Sequence, residues 1–543
     1  MLPEVDGAKA EAEIGVCEHP SPSRSATTTS SPSHSHMEPE NDSAPSSRDA
    51  LLSTGVEGLD TVLHGGLPKG EMYLVEGGSG TGKTILATHF LQAGAEAGER
   101  CLFVSLSQTE EGLRRNVRGA GLSLEGVEIH EHLPVPAPHA LDNEQVVFSP
   151  DTVELAEAVH DLTAAVERAQ PHRLVFDGIG FLRALAGSPD AYRRQILSLR
   201  AFFAKQAATV LLTNDAALVP GTTEVEGVAY GVICLSRDIN AYGSEIRRLS
   251  VTKLRGRSYE AGTHDFRIRD AGLQVFPRLD THEGDPDDPT GTLKSGVEPL
   301  DALFGGGLDV GSSLLIVGPS GTGKTTVATH YANAAAARGE ASAVYLFDEL
   351  PRTFVRRSET IGMPVVRHVE DGLMRIYPVS TGQLSLGEFA HLVRREVRER
   401  DVRVVVIDTL TGYLSAMPDE RFLVTQMHDL LAYLARQGVL AILVVAKHGV
   451  VGTEVRGAVD VSYLADAVLL LRHFETGGAL RRAISVYKKR YGDHENGIRE
   501  LFIEAGGIRL SEPIKDYSGV LTGLPSVDGS ANGSYYSDDS ERA

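Results

Sequence analysis

The chain has 543 residues, of which 42% are hydrophobic and 23% are charged, and this is enough apolar material for two ordinary cores. Its net charge of −21 argues against nucleic acid as a partner, because such binding draws most of its strength from Lys and Arg neutralising phosphates. The apolar runs are too short to span a bilayer and no basic, apolar leader opens the chain, so we expect a cytoplasmic protein with no membrane partner.

Both ends of the chain are predicted to be disordered, and one internal stretch is predicted to be a linker. Residues 1–48 are rich in Ser, Pro, Thr and Glu with almost no apolar periodicity, and such a segment cannot offset the entropy of ordering. Residues 281–291 are acidic and broken by Pro, which predicts a linker, and residues 513–543 form a predicted C-terminal tail. Two domains remain, residues 49–280 and residues 292–512.

Within each domain, short apolar runs alternate with amphipathic stretches, which predicts an α/β fold around a mostly parallel sheet. In the first domain, strands are predicted at 71–75, 101–106, 174–177, 209–213 and 231–235, with a helix at 84–97. In the second domain, strands are predicted at 313–317, 343–347, 402–408, 440–445 and 467–471.

A glycine-rich phosphate-binding loop follows the first of these strands in each domain. In this motif backbone N–H groups cradle phosphate oxygens, the lysine reaches the β and γ phosphates, and the last threonine hydroxyl ligates Mg²⁺. The helix that follows presents its positive end to the same anion. The predicted nucleotide-binding residues are Gly77, Gly78, Ser79, Gly80, Thr81, Gly82, Lys83 and Thr84, and then Gly318, Pro319, Ser320, Gly321, Thr322, Gly323, Lys324, Thr325 and Thr326.

The two loops belong to a longer internal repeat. An offset of 241 residues (324 minus 83) also places Gly55-Val56-Glu57 on Gly296-Val297-Glu298 and Thr88-His89 on Thr329-His330, without a gap. A chance match of a short motif does not bring such a repeat with it, so we interpret both loops as nucleotide sites.

Each magnesium shell needs a second acid, placed where an apolar strand ends beside the loop. Asp177 and Asp408 each end an apolar run at a suitable distance from a loop. We therefore predict one magnesium site at Thr84 and Asp177 and another at Thr325 and Asp408. A strand-end aspartate that only caps a turn is the alternative.

These features resemble the KaiC family over about residues 50–512. The resemblance is carried by the Thr-Gly-Val or Ser-Gly-Val segment with its Leu-Asp ahead of each loop, by the duplicated loops, and by Lys253-Leu254-Arg255-Gly256 and Lys488-Lys489-Arg490. It implies two tandem RecA-like P-loop NTPase domains with ATP and Mg²⁺ as cofactors.

The resemblance also implies that a pair of acids after the second strand activates the attacking water. Asp348 and Glu349 match that pair in the second domain, and we predict Glu349 as the water-orienting base with Asp348 in support. A helix-capping role is the alternative. The first domain has Ser107 and Gln108 in this register, and glutamine can orient water but cannot accept a proton at neutral pH.

We therefore expect the first domain to bind ATP firmly, to hydrolyse it slowly and to serve mainly in assembly. Glu110 and Glu111 lie close by in the sequence. They are expected to open a helix, because acids favour the N-terminal turn. Substitution for the missing acids, with the loop bent inward, is the alternative.

The resemblance further implies that Lys253, Arg255, Lys488 and Arg490 reach the γ-phosphate of a neighbouring subunit. A cation supplied in trans neutralises transition-state charge and makes hydrolysis depend on assembly. The alternating spacing places both cations of a pair on one strand face, and simple protection of a strand edge is the alternative. A head-to-tail ring follows, and we expect a homo-hexamer.

In the KaiC family a Ser-Thr pair in the second domain is autophosphorylated, and Ser462 and Tyr463 stand at that place here. Autokinase activity at Ser462 is therefore a hypothesis, with an ordinary interface serine as its alternative.

The leading hypothesis for the whole chain is an ATP-hydrolysing switch read by unidentified signalling proteins. A DNA-acting motor or recombination mediator on the same fold stays open as an alternative, although the acidity and the lack of a basic, aromatic-interleaved segment oppose it. A nucleotide-locked scaffold without catalysis is the second alternative, and the retained Asp348 and Glu349 oppose that one.

Overall fold

The computed structural model describes residues 50–132, 150–186, 188–215, 224–238, 245–280, 290–380, 384–415, 420–446, 463–515, 517–520 and 526–527. All of them belong to one compact unit, Ser47–Ala543. The predicted N-terminal tail, most of the predicted linker, most of the C-terminal tail and Ser462 lie outside the described residues. Among the described helices, none combines the length and the apolar character needed to cross a bilayer.

The first domain contains eleven strands and seven helices among its described residues. The strands are β1 (Leu51–Leu52), β2 (Leu67–Pro68), β3 (Met72–Gly77), β4 (Cys101–Ser105), β5 (Val127–Glu131), β6 (Arg173–Asp177), β7 (Thr209–Asp215), β8 (Gly231–Asp238), β9 (Ile246–Leu254), β10 (His264–Arg269) and β11 (Gly272–Phe276). The helices are α1 (Glu57–Val62), α2 (Lys83–Glu96), α3 (Glu110–Gly119), α4 (Pro150–Ala169), α5 (Gly180–Leu185), α6 (Pro189–Gln206) and α7 (Glu224–Val228).

The second domain repeats the strand order with a slightly different set of described helices, and it is followed by a short strand pair. Its strands are β12 (Thr292–Leu293), β13 (Leu308–Asp309), β14 (Ser313–Gly318), β15 (Ala341–Leu346), β16 (Met374–Pro378), β17 (Val402–Asp408), β18 (Leu440–Ala446), β19 (Ala467–Thr476), β20 (Ala479–Lys489), β21 (Arg499–Glu504) and β22 (Gly507–Pro513), and β23 (Tyr517–Ser518) then pairs with β24 (Ser526–Val527). Its helices are α8 (Glu298–Leu303), α9 (Lys324–Ala337), α10 (Pro351–Thr360), α11 (Val365–Glu370), α12 (Leu386–Arg400), α13 (Leu410–Ser415) and α14 (Glu420–Arg436).

Each domain is built on a nine-stranded sheet, and the two sheets have the same topology. The first runs β11-β10-β9-β8-β3-β7-β6-β4-β5 and the second runs β22-β21-β20-β19-β14-β18-β17-β15-β16. In each sheet the last six strands of this order are parallel, and the first three continue the sheet in antiparallel fashion. The predicted pair of α/β domains with mostly parallel sheets is therefore confirmed.

The central strands are buried on both faces because helices cover both sides of each sheet. Every residue of β3, β4, β6 and β14 is buried. Successive residues of β3 enter opposite cores, with Tyr73 and Val75 in one cluster and Met72 and Leu74 in the other. Such strands are held rigidly, so the residues at their carboxyl ends are placed with little freedom.

A charged contact joins the two domains. Glu388, in the first turn of α12, is 8% exposed and forms ion pairs with Arg267, 2.5 Å away, and with Arg269. The backbone N–H of Gly387 donates a hydrogen bond to Asp265 over 2.8 Å. The hairpin of β10 and β11 in the first domain is thereby fixed to the start of α12 in the second.

Candidate active sites

Both glycine-rich loops lie where the sequence predicts, between the central strand and the next helix. The helices begin at the loop lysines, Lys83 and Lys324. Two glycines of each loop have positive φ angles, from 71° to 110°, which other residues rarely adopt; these are Gly80, Gly82, Gly321 and Gly323. The loop backbone therefore depends on glycine at these positions.

Each loop lysine folds back over its own loop. Lys83 Nζ donates to the carbonyl oxygens of Gly77 and Gly78, over 2.7 and 2.8 Å, and Lys324 Nζ donates to that of Pro319 over 2.7 Å. Burial lowers the pKa of both lysines. An ammonium that donates these hydrogen bonds to neutral carbonyl oxygens in a partly desolvated loop would gain from an anionic phosphate oxygen.

The predicted magnesium ligands of each domain lie together. Thr84 donates its hydroxyl to Asp177 over 3.0 Å, and Thr213 donates to the other oxygen of the same carboxylate over 2.6 Å. In the second domain, Asp408 is hydrogen-bonded by Thr325. Burial raises the pKa of both aspartates, and these hydrogen bonds act against it. A hydroxyl beside a carboxylate suits Mg²⁺, which prefers oxygen ligands, so the residues fit the predicted ion.

The segment after the second parallel strand, which carries Asp348 and Glu349 in the second domain, has the same register in both domains, as equivalent backbone hydrogen bonds show. Leu106 N–H donates to the carbonyl oxygen of Asp177 over 3.0 Å, and Phe347 N–H donates to that of Asp408 over 2.7 Å. The next two residues are thus Ser107 and Gln108 in one domain and Asp348 and Glu349 in the other, as the offset of 241 (348 minus 107) requires.

An ion pair in the second domain is replaced by a neutral pair in the first. Arg357 Nη1 donates to Glu349 Oε1 over 2.6 Å. At the equivalent positions (357 minus 116 and 349 minus 108 are both 241), Asn116 Nδ2 donates to Gln108 Oε1 over 2.7 Å. Both partners have changed together while the direction of the hydrogen bond is kept.

The predicted acids of the second domain lie close to its magnesium ligand. Asp348 accepts a hydrogen bond from the hydroxyl of Thr409, the residue after Asp408. The pKa of Asp408 is raised first by burial and also by Glu349, whereas Arg357 and Lys324 lower it. The structure therefore brings Glu349 and Asp408 within electrostatic reach of each other.

Glu110 and Glu111 of the first domain begin a helix. They lie in the first turn of α3, where Thr109 caps the helix by accepting a hydrogen bond from Gly112 N–H over 3.2 Å. The prediction that they open a helix is confirmed.

The two predicted cations of the first domain lie at the edge of the sheet opposite its loop. The loop follows Gly77, which pairs with Leu235, whereas β9 ends beside Gly231, the first residue of β8. Lys253 Nζ donates to the carbonyl oxygen of Glu226 over 2.5 Å, and Arg255 donates to that of Gly227 over 3.0 Å. They cannot reach the phosphates of their own domain.

The second domain repeats this placement. Lys488 Nζ donates to the carbonyl oxygen of Ala465 over 3.0 Å, and Arg490 pairs with Asp466 over 2.9 Å. Arg255 and Arg490 each lie one residue past the end of their strand, and their backbone N–H groups still donate to the neighbouring segment, to Tyr230 over 3.1 Å and to Asp466 over 2.8 Å. The shared strand face of each pair stays a prediction.

The sequence analysis did not identify an arginine that contacts each phosphate-binding loop. Arg247 Nη1 donates to the carbonyl oxygen of Gly80 over 2.6 Å, and Arg482 Nε donates to that of Gly321 over 3.1 Å. The two arginines are equivalent, because each pairs with the strand that flanks the loop strand. They are 235 residues apart (482 minus 247), not 241, so the constant offset does not reveal them.

Comparison with known proteins agrees with this architecture. The family model "ATPase: KaiC" matches residues 52–280 and again residues 293–515. The circadian clock oscillator protein KaiC of Synechococcus elongatus is 26% identical over 501 residues, covering 90% of this chain and 94% of the relative. KaiC of Picosynechococcus sp. is 26% identical over 482 residues, covering 87% and 92%. The circadian clock protein KaiC3 of Synechocystis sp. is 25% identical over 483 residues, covering 87% and 94%.

Removing one loop lysine should remove one nucleotide site and leave the other. Lys83→Ala or Lys324→Ala deletes a charge-assisted contact to phosphate, which should weaken binding in that domain by about 10- to 100-fold. Titration with a fluorescent ATP analogue and Mg²⁺ measures the number of sites filled per chain. Lys205→Ala, at an exposed lysine of α6, is the matched control. Unchanged stoichiometry in either loop variant would contradict the assignment.

Proposed function

This chain belongs to the KaiC family of ATPases, and from that premise we propose that it is a ring-forming signalling switch whose second domain carries most of the hydrolysis. The observation that supports this division is the ion pair of Glu349 and Arg357, against the neutral pair of Gln108 and Asn116. ATP and Mg²⁺ are the proposed cofactors of both domains. The side chains that would hold them are present in each.

In the proposed reaction Glu349 orients the attacking water and accepts its proton. The side chain of Glu349 is 21% exposed, so water reaches the carboxylate, and Arg357 holds one of its oxygens in place. Arg357 also has a buried Nη2 atom without a hydrogen-bond partner among the described residues, which leaves a donor for a phosphoryl oxygen. Mg²⁺, when bound, would neutralise charge on the phosphates, with Thr325 and Asp408 as its ligands.

The first domain is proposed to hold ATP and to turn it over slowly. Gln108 is neutral and its amide oxygen is already engaged by Asn116. An amide can position water but cannot take a proton from it, so the step that Glu349 assists is unassisted here. Slow turnover keeps the nucleotide bound, which suits a domain that stabilises assembly.

The ring is proposed from the position of the four cations. Lys253, Arg255, Lys488 and Arg490 lie at the sheet edge opposite the loops of their own domains, so a phosphate that they contact must lie outside that domain, and we propose that it belongs to another subunit. In the second domain two exposed tyrosines flank the cations, Tyr487 at 68% and Tyr491 at 66% exposure. Exposed aromatic side chains beside an arginine are typical of a subunit interface.

An interface that joins the loop edge of one subunit to the opposite edge of the next is heterologous, and such contacts close into a ring when the rotation permits. We propose the homo-hexamer as the closed form. Its proposed partners are signalling proteins of the cytoplasm that read the nucleotide state. Nucleic acid is not among them, given the net charge of −21.

Autokinase activity at Ser462 is a further part of the proposal. Ala465 and Asp466, a few residues along the chain, are bonded to Lys488 and Arg490, the cations proposed to meet the γ-phosphate of a neighbour. In the proposed transfer, Ser462 Oγ forms a bond to the γ-phosphorus, ADP leaves, and Glu349 of the site that holds the ATP takes the hydroxyl proton.

Loss of the Glu349 carboxylate should remove most ATP turnover. Glu349→Gln removes a general base, a group worth about 10²- to 10⁴-fold, so total phosphate release should fall at least tenfold. Gln108→Ala is the matched control in the first domain and should change the total little. Introducing Gln108→Glu with Asn116→Arg into the Glu349→Gln background should restore part of the turnover. Unchanged phosphate release in Glu349→Gln would refute the proposed division.

Two inactive variants should complement each other if the cations act in trans. One variant combines Lys488→Ala with Arg490→Gln and keeps Glu349, and the other carries only Glu349→Gln. Mixed rings then contain interfaces with an intact base and intact cations, so phosphate release after mixing should exceed that of either parent. A protein with all three substitutions, mixed with Glu349→Gln, is the control without complementation. Activity no greater than that of the parents would show that the cations do not act across a boundary.

Incubation with Mg-ATP should add the mass of one phosphoryl group to the intact chain. Ser462→Ala should abolish the gain, and Tyr463→Phe, at the neighbouring residue, should keep it. Intact-mass spectrometry measures both. A gain that survives Ser462→Ala, or no gain in the unsubstituted protein, would contradict the autokinase proposal.

A further inference from the structure

We propose that His130, His132 and Asp161 form a binding site for a divalent first-row transition metal, zinc above all, in the first domain. Their ligand atoms all lie within 4.8 Å of one another. His130 Nε2 and His132 Nδ1 each lie 2.9 Å from the same oxygen of Asp161. Among the residues that the structure describes, this is the one group of three His, Cys, Asp or Glu side chains with ligand atoms so close together.

Two elements position the three proposed ligands: β5 and the residue after it carry the histidines, and α4 carries the aspartate. His130 pairs with Val104 in the parallel register of β5 with β4, and two residues later His132 N–H donates to the carbonyl oxygen of Ser105 over 3.0 Å. Side chains two residues apart on a strand share a face, and α4, which carries Asp161, covers this face. Arg168, two turns further along α4, bonds Glu128 on the same strand over 3.2 Å.

The distances suit a small ion with short bonds. Zinc bonds of about 2.0–2.1 Å place tetrahedral ligand atoms about 3.3 Å apart, so a slight outward movement of the carboxylate from its 2.9 Å contacts makes room. Asp161 is 49% exposed, which leaves a coordination position open to water. Two imidazoles and a carboxylate favour zinc and its neighbours, whereas Mg²⁺ and Ca²⁺ prefer oxygen ligands alone.

The repeat provides an internal comparison, because the second domain keeps the backbone and lacks the ligands. His130 pairs with Val104 as Tyr377 pairs with Tyr345, so Tyr377 takes the place of His130. Val379 takes the place of His132, since its N–H donates to Leu346 over 2.8 Å in the equivalent bond.

Leu392 takes the place of Asp161. The offset is 231 here (392 minus 161), and it also relates Gln170 to Asp401, the positive-φ residues that follow the two helices. The fold accepts apolar or aromatic side chains at all three positions. The cluster is therefore a feature of the first domain alone and is not required by the architecture.

The proposed ion lies beside the segment that replaces the catalytic acids. Ser105, which accepts the backbone bond of His132, donates its hydroxyl to the carbonyl oxygen of Gln108 over 2.6 Å and accepts from Gln108 N–H over 3.2 Å. A bound metal would tie the edge strand to α4 and stiffen this segment.

Cobalt titration of the tag-free, full-length protein tests the site. The protein is stripped with a chelator and kept free of nucleotide, and Co²⁺ is followed by its d–d absorption. We expect one coloured equivalent per chain that is displaced by Zn²⁺ and not by excess Mg²⁺. The variants His130→Tyr, His132→Val and Asp161→Leu copy the second domain and should weaken cobalt binding more than about tenfold. His160→Ala, at the exposed neighbour of Asp161 on α4, is the matched control.

Equal cobalt affinity in the three variants and in the unsubstituted protein would overturn the proposal. The N-terminal segment, residues 1–48, contains His19, His34 and His36, which are present in every variant and contribute the same background. Zinc K-edge X-ray absorption on the unsubstituted protein does not depend on any variant folding. Two imidazole ligands in that spectrum would support the site, and a spectrum without imidazole would refute it.

Discussion

The carboxyl ends of neighbouring parallel strands meet at one edge of each sheet, and every candidate group of the two active sites depends on that constraint. The loop strand, the strand that ends in the magnesium acid and the strand that leads to the acid pair are buried over all or nearly all of their length, so their ends have little freedom. One backbone hydrogen bond, from Leu106 to Asp177 or from Phe347 to Asp408, then fixes the acid-pair segment against the magnesium ligand. Chemistry can vary at this edge without disturbing the core.

The two domains show what such a frame permits. In the second, Glu349 is held by Arg357, and in the first the same positions carry Gln108 and Asn116 with the same hydrogen-bond direction. A glutamine beside an unpartnered arginine, or a glutamate beside an asparagine, would leave a charge without its counterpart, which explains why both partners differ at once. The two domains share the phosphate loops and differ in the side chains of the segments beside them.

The two domains are also in direct contact, so their states need not be independent. Glu388 in α12 holds Arg267 and Arg269 of the β10–β11 hairpin. From the same hairpin, Leu273 N–H donates to His89 Nε2 over 2.9 Å, and His89 lies in the helix that follows the first phosphate loop. A continuous series of contacts therefore links the start of α12 to the first nucleotide site.

The sequence by itself determined the α/β class, both phosphate loops, the central strands and the strand-end acids Asp177 and Asp408, because buried parallel strands are continuous apolar runs and the loop motif is local. Tertiary structure alone decided which side chains meet across the chain. The arginine of each loop, Arg247 or Arg482, reaches it from the antiparallel part of the sheet, and insertions change its spacing from the constant offset. The proposed metal ligands His130, His132 and Asp161 come from a strand and a helix about 30 residues apart in sequence. No local sequence pattern predicts which face of a helix packs against which strand.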